Sequence, residues 1–234
     1  MKALKSVLTL FLIAVVGGGL VYQYNSVPSK KVWGAGGEPY MVISGQKPTD
    51  AVISVRVNYF GRGDACSGWS WNAGSGDIKR GIYNESFKID HNFSGDEAHY
   101  ELRIPYQQRQ PETNCFTQLS DMEVKLPNAF DTVGFANLRI YQAGAEYYNK
   151  PSDVNSKIEA RNCEPFYSEK YKKWTNGFGC YFYINEIKKS KDQEFNANSV
   201  YFDFSQFNDG VIIHYDILAG ENYRSAPLEP QTGK

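Results

Sequence analysis

The chain has 234 residues, with 25 Lys and Arg against 26 Asp and Glu, a net charge of −1, and 15% aromatic residues. Residues 1–31 contribute four lysines and no acid, so the remainder carries 21 basic against 26 acidic residues, a net charge of −5. That is the ordinary solubility range of a small domain and leaves no basic footprint for DNA or RNA, so nucleic acid is not an expected partner.

Lys2 and Lys5 precede an uncharged apolar run, Val7 to Val21, and the next charges are Lys30 and Lys31. The run, extendable through Tyr22 and Tyr24 at an interface, falls at or just below the roughly 17–25 residues that span a bilayer. An uncleaved membrane anchor is the expectation. A cleaved signal is the alternative, with Gly17-Gly18-Gly19 as its only small-residue site, and an ordinary core helix would show a polar face. No cysteine precedes Cys66, so a lipoprotein signal lacks the thiol that would carry the lipid. Residues 1–24 are read as membrane anchor or signal segment. The flanking lysines balance, so the positive-inside count does not orient the segment.

Residues 25–50 hold Pro28, Pro39 and Pro48 with Gly34, Gly36, Gly37 and Gly45, and read as a tether and domain entry. The domain proper, starting near Met41 or Ala51, is taken as 51–225. From Ile53 to Tyr59 the chain alternates, with Ile53, Val55, Val57 and Tyr59 on one face and Ser54, Arg56 and Asn58 on the other, the pattern of a half-buried strand. The same period recurs at Tyr100, Leu102 and Ile104 and at Met122, Val124 and Leu126. Further strands are expected at Phe87 to Ile89, Val133 to Tyr141, Gly179 to Ile187, Val200 to Phe204 and Val211 to Leu218. Turn residues at Gly61 to Asp64, Asn128, Asn176-Gly177 and Asn208 to Gly210 separate them. Helical patterning is confined to parts of Asp153 to Arg161 and Ser168 to Trp174. The tail 226–234 is polar and proline-bearing and is expected to be disordered. The expected fold is all-β, a single antiparallel β-sandwich-like domain, disulfide-stapled, after an N-terminal hydrophobic helix.

The four cysteines, Cys66, Cys115, Cys163 and Cys180, have no C-x-x-C spacing of the zinc or thioredoxin kind. Behind an export segment they read as two structural disulfides, against free buried thiols in a cytosolic protein. Of three connectivities, Cys66–Cys115 and Cys163–Cys180 is expected. The second pair closes a glycine- and aromatic-rich loop, and the first clips two neighbouring loops. Each closure is worth about 3–4 kcal/mol through the unfolded chain.

Two aromatic segments are candidate contact surfaces. The long loop Gly61 to Gly81 contains Trp69 and Trp71, which in an extended conformation share one face, as a sugar-stacking platform or a protein anchor requires; the alternative is that they pack over the disulfide. Phe166, Tyr167, Tyr171, Trp174, Phe178, Tyr181, Phe182 and Tyr183 bracket Cys163 and Cys180, and fit either a binding surface or a strand core. Partner-binding residues are taken as Trp69, Trp71, Trp174, Tyr171 and Phe178.

No catalytic signature is present. Gly74-Ser75-Gly76 is not a nucleophile elbow, and there is no phosphate loop or dinucleotide fingerprint. His91 and His99 come near one another if their strands pair, but a metal site needs a third ligand such as Asp90, Asp96 or Glu97, and no metal or cofactor is expected. His214 reads as a surface residue. Arg62-Gly63-Asp64 reads as a turn, and Asn84-Glu85-Ser86 and Asn92-Phe93-Ser94 are glycosylation acceptors only in a eukaryotic secretory cell.

These features describe a non-enzymatic bacterial envelope protein, anchored in the inner membrane facing the periplasm, or periplasmic if the segment is cleaved. It binds another macromolecule by occlusion or scaffolding, as an immunity protein does a toxin. The alternatives are a carbohydrate-binding or lectin-like module using Trp69 and Trp71, and a hydrolase with an unrecognised site.

Overall fold

The computed structural model describes residues 32–62, 66–72, 76–107, 109–112, 115–144, 150–195 and 197–227, with backbone alone at 62, 67–72, 77–82 and 109–112. The apolar segment 7–21, most of the tail 226–234 and Gly63-Asp64 lie outside them. In chain order the strands are β1 (Met41–Gln46), β2 (Ser54–Arg62), β3 (Ser67–Asn72), β4 (Asp77–Ile82), β5 (Asn84–Ile89), β6 (His99–Ile104) and β7 (Arg109–Glu112). They continue as β8 (Cys115–Leu126), β9 (Phe135–Gln142), β10 (Lys157–Ser168), β11 (Lys173–Ile184), β12 (Ile187–Lys188), β13 (Asn198–Phe202) and β14 (Ile212–Ala219).

Two sheets form the sandwich, in strand orders β12-β11-β10-β14-β1-β6 and β13-β9-β8-β2-β5, with β7 paired to β8 and β3-β4 as a separate ribbon. Period-two burial explains the layers. Val55, Val57 and Tyr59 of β2 are buried while Arg56 is exposed, and Tyr100, Leu102 and Ile104 of β6 face them from the other sheet. Met122, Val124 and Leu126 of β8 and Ile213, Tyr215 and Ile217 of β14 complete the same core, with His214 exposed as expected.

The sheets are mixed rather than antiparallel. β14 lies parallel to both β1 and β10, and β13 lies parallel to β9. Hydrophobic alternation reports which face is covered and carries no information about the direction of the neighbouring strand. The stretch read as tether contains β1, a strand paired on both sides whose Met41 and Ile43 are fully buried. Its Gly45 is required by the packing, since a Cβ there would meet the Tyr215 carbonyl oxygen at 2.1 Å. Of the segments with helical patterning, Asp153 to Arg161 is a turn leading into β10, and Ser168 to Trp174 is the turn from β10 into β11. Among the described residues the only helix is a 3-10 turn at Phe204–Gln206. The expected loop Gly61 to Gly81 folds back as the β3-β4 hairpin, Trp69 opposite Arg80 and Trp71 opposite Ile78.

Buried tyrosine hydroxyls tie strands within a sheet and across the two layers. Tyr59 donates to the Pro105 carbonyl at 2.5 Å, Tyr100 to the Tyr215 carbonyl within its own sheet, and Tyr215 to the Ala136 carbonyl of β9 in the other sheet. Each satisfies a polar group that would otherwise cost about 1–3 kcal/mol in the core. Burial pushes the Tyr100 and Tyr215 phenols well above their usual range, with Asp216 adding to the shift at Tyr100 and Tyr100 adding to it at Tyr215.

Topology defines two ends. β1 passes through residues 47–53 into β2, so the carboxyl end of β1 and the amino end of β2 lie together with the β5–β6 loop and the β8–β9 turn. Because β10 and β14 run parallel to β1, the β10-β11 turn lies at this end too. The opposite end holds Trp33, the start of β1, the β3-β4 hairpin and the Cys66–Cys115 disulfide.

Candidate functional site

The β10-β11 hairpin is the strongest candidate surface. Its base is fixed on every side. The second expected disulfide, Cys163–Cys180, joins the strands at a Cα separation of 4.3 Å and is fully buried. The buried Asp131 carboxylate accepts the Phe178 backbone N–H at 3.0 Å and the Gly134 N–H at 3.1 Å, so its charge is met by backbone donors. Gly177 permits that approach: a Cβ there would lie 2.8 Å from Asp131 Oδ2 and 2.9 Å from the Phe195 ring.

Phe178 belongs to this base. It is 1% exposed, stacked on Phe130 at 4.7 Å and Tyr223 at 5.1 Å, with the edge of Phe135 at 4.6 Å. Its assignment to the contact surface is therefore corrected: the ring is enclosed by three others and has no face left for a partner. Tyr223 is held in turn by Asp50 and Asn128, its hydroxyl donating to Asp50 Oδ1 at 2.9 Å while Asn128 Nδ2 donates to it at 2.8 Å.

The tip is a different environment. The last β10–β14 partners are Cys163 and Ala219. From Glu164 to Ser168 the strand overshoots β14 by about 16 Å, paired to β11 alone on that path. Tyr167 sits opposite Trp174 in register and meets it edge to face, with centroids 5.9 Å apart and planes at 78°. Trp174 is 50% exposed and Tyr171 63% exposed. The turn between them is closed by Lys172 at a φ of 51° and by its ammonium on Glu169 at 2.7 Å. Lys170 Nζ lies 5.0 Å from the Tyr171 ring centroid. Phe166 packs against Phe195, which supports the outgrowth from one side.

Other exposed apolar residues gather nearby. Val52, Val133 and Phe195 share this end with Tyr167, Tyr171 and Trp174, making six of the nine large exposed apolar side chains among the described residues. Phe116, Ile187 and Ile212, the other three, lie toward the opposite end.

The two aromatic segments proposed from sequence do not form one surface. The β3-β4 hairpin carrying Trp69 and Trp71 follows the carboxyl end of β2, while the β10-β11 tip lies beyond its amino end. The nine residues of β2 separate them by roughly 30 Å. The side chains of Trp69 and Trp71 lie outside those described.

Two features escaped the sequence reading. The first is a cleft of about 380 Å³ at the β10-β11 end, lined by Lys47, Asp90, Asn92, Asp96 and Glu97 together with apolar Ala51, Val52 and Ile53. Lys47 Nζ donates to the Glu97 carbonyl at 2.7 Å, and burial lowers its pKa. Asn92 is spent on the loop: its Oδ1 accepts from the Ser94 and Glu101 N–H groups and its Nδ2 donates to the His99 carbonyl. The second feature lies on the outer face of β10, where buried Glu159 takes Lys157 Nζ at 3.1 Å and the Arg161 guanidinium, which also reaches Glu186 at 2.6 Å. The alternation of Lys157, Ile158, Glu159, Ala160 and Arg161 was the available signal for this strand and its charged face.

His91 stacks edge-on with Phe93, and His99 pairs with Asp96 at 2.7 Å. Among the described residues no group of three or more His, Cys, Asp or Glu is placed to hold a metal ion. Comparison with protein-family models, curated proteins and solved structures finds no match for this chain.

Proposed function

We propose that the protein is a non-enzymatic binding protein of the bacterial envelope, facing the periplasm, which holds a protein partner by the aromatic end of the β10-β11 hairpin. Both disulfides are consistent with export to an oxidising compartment. The observation that carries the reading is the grouping of Tyr167, Tyr171 and Trp174 on an outgrowth with a rigid base. Half-exposed aromatic rings on a preorganised support provide contact area at low entropy cost, the usual chemistry of an interface anchor.

A lectin-like use of this tip is less favoured. Tyr167 and Trp174 meet at 78° and so offer no pair of coplanar faces to a sugar chain. An edge-to-face pair instead makes a knob that fills a pocket. Occlusion of an incoming toxin, as an immunity protein performs it, is the form this reading takes when the partner is foreign.

The test is capture from envelope extract on the full chain in detergent, beside a Tyr171→Ala/Trp174→Ala variant of unchanged thermal midpoint. A single stoichiometric protein, lost with the variant, is the expected result. Capture that survives the substitutions, or an empty capture on folded protein, contradicts it.

A further inference from the structure

We propose that the partner face met by this hairpin is acidic, with carboxylates bordering an apolar slot that receives Trp174 and Tyr171. The inference rests on the reading of the β10-β11 end as a protein-contact surface and adds the chemistry of the partner. The turn Glu169-Lys170-Tyr171-Lys172-Lys173 carries three lysines and one acid, in a chain whose portion after residue 31 has a net charge of −5. Glu169 pairs with one of the three, Lys172, at 2.7 Å, so the turn keeps a net charge of +2. At the base, Glu164 accepts the Asn222 N–H at 2.9 Å. The tip is thus a local cationic excess around exposed rings. Lysine stems lie along apolar surface while their ammonium groups remain at the rim, where opposite charge on a partner speeds encounter and fixes register. A basic partner face would meet like charge at that rim.

An anionic bilayer shares the carboxylate's sign, but the rest of this end disfavours it. Asp90, Asp96 and Glu97 line the cleft at the same end. A uniformly anionic surface large enough to take the tip would be repelled by that loop, whereas a protein face can be acidic opposite the tip and basic opposite the cleft.

The probe is a peptide array of fixed aromatic content and graded net charge, applied to the full chain in detergent and to three variants: Trp174→Ala, the triple Lys170→Glu/Lys172→Glu/Lys173→Glu, and the two combined. Acidic peptides should bind more than about tenfold better than basic ones of equal apolar content. Their binding should weaken with salt and with Trp174→Ala, and the triple variant should reverse the order. Peptides bound at Trp174 without charge preference overturn the acidic partner and leave the contact surface standing, as does an acidic preference that persists in the triple variant. Absence of peptide binding at millimolar concentration overturns both, and phosphatidylglycerol vesicles bound in their place would name a bilayer as the occupant.

Discussion

Base and tip of the β10-β11 ribbon are made of the same residue types and meet different surroundings. At the base, Phe178 lies under Phe130, Phe135 and Tyr223, with Asp131 bonded to its backbone and the Cys163–Cys180 disulfide two residues away. Four residues toward the turn, Trp174 touches Tyr167 and is half exposed. Between them the pairing is irregular, from Pro165 opposite Phe178 to Tyr167 opposite Trp174. An aromatic side chain here is buried or exposed according to whether it is covered as Phe178 is by Phe130, Phe135 and Tyr223, and that cover does not extend to Trp174.

The largest effect that would sharpen this contrast is truncation at the base. Phe178→Ala should cost about 3–5 kcal/mol, read as a lowered denaturant midpoint at unchanged slope, because the three surrounding rings cannot all close on the space. A loss below about 1 kcal/mol would mean the base is no more packed than the tip. Next comes the disulfide. Replacing Cys163 and Cys180 together by Ala opens a loop of sequence separation 17 and should cost about 3 kcal/mol.

A smaller effect is expected in the core beside the ribbon. Tyr215→Phe removes the hydroxyl bonded to the Ala136 carbonyl, and should cost about 1–2 kcal/mol by leaving that acceptor unpaired. It also carries a pH signature. Burial raises the Tyr215 and Tyr100 phenols, so the fold favours their neutral forms. The stability they contribute is complete below the unfolded phenol value of about 10 and is lost as pH rises above it. Unfolding free energy should therefore fall from about pH 10 upward, less steeply in Tyr215→Phe. An unchanged alkaline slope would show that Tyr215 is not the group responsible.

The tip should barely register in stability. Trp174→Ala is expected to change unfolding free energy by no more than about 0.5 kcal/mol, as for an exposed position outside the packed layers.

Much of the sandwich was readable because one face of each strand is covered. The alternation at Val55, Val57 and Tyr59 and at Tyr100, Leu102 and Ile104 transfers directly to the core. β1 was obscured by counting Gly45 and the flanking prolines as linker composition, although Gly45 answers to the close approach of the Tyr215 carbonyl. β10 was obscured because Lys157, Glu159 and Arg161 alternate as charges on an outer face, where buried Glu159 is covered by its own ion partners. The parallel neighbours of β14 depend on which distant strands meet, which residue periodicity does not encode. At the candidate site, Tyr171 and Trp174 are exposed and Phe178 is buried, and type and spacing alone did not tell Phe178 from the other two. What separates it is the β8–β9 turn, 47 residues away in sequence, whose Asp131 bonds to its N–H.

The most direct test of the account is to measure unfolding midpoint and partner capture together for Trp174→Ala and Phe178→Ala in the full chain. The account predicts a divergence: Trp174→Ala keeps the wild-type midpoint and loses the captured protein, whereas Phe178→Ala loses several kcal/mol of stability. If Trp174→Ala instead unfolds the domain, or retains capture at full stoichiometry, the tip is not the contact surface.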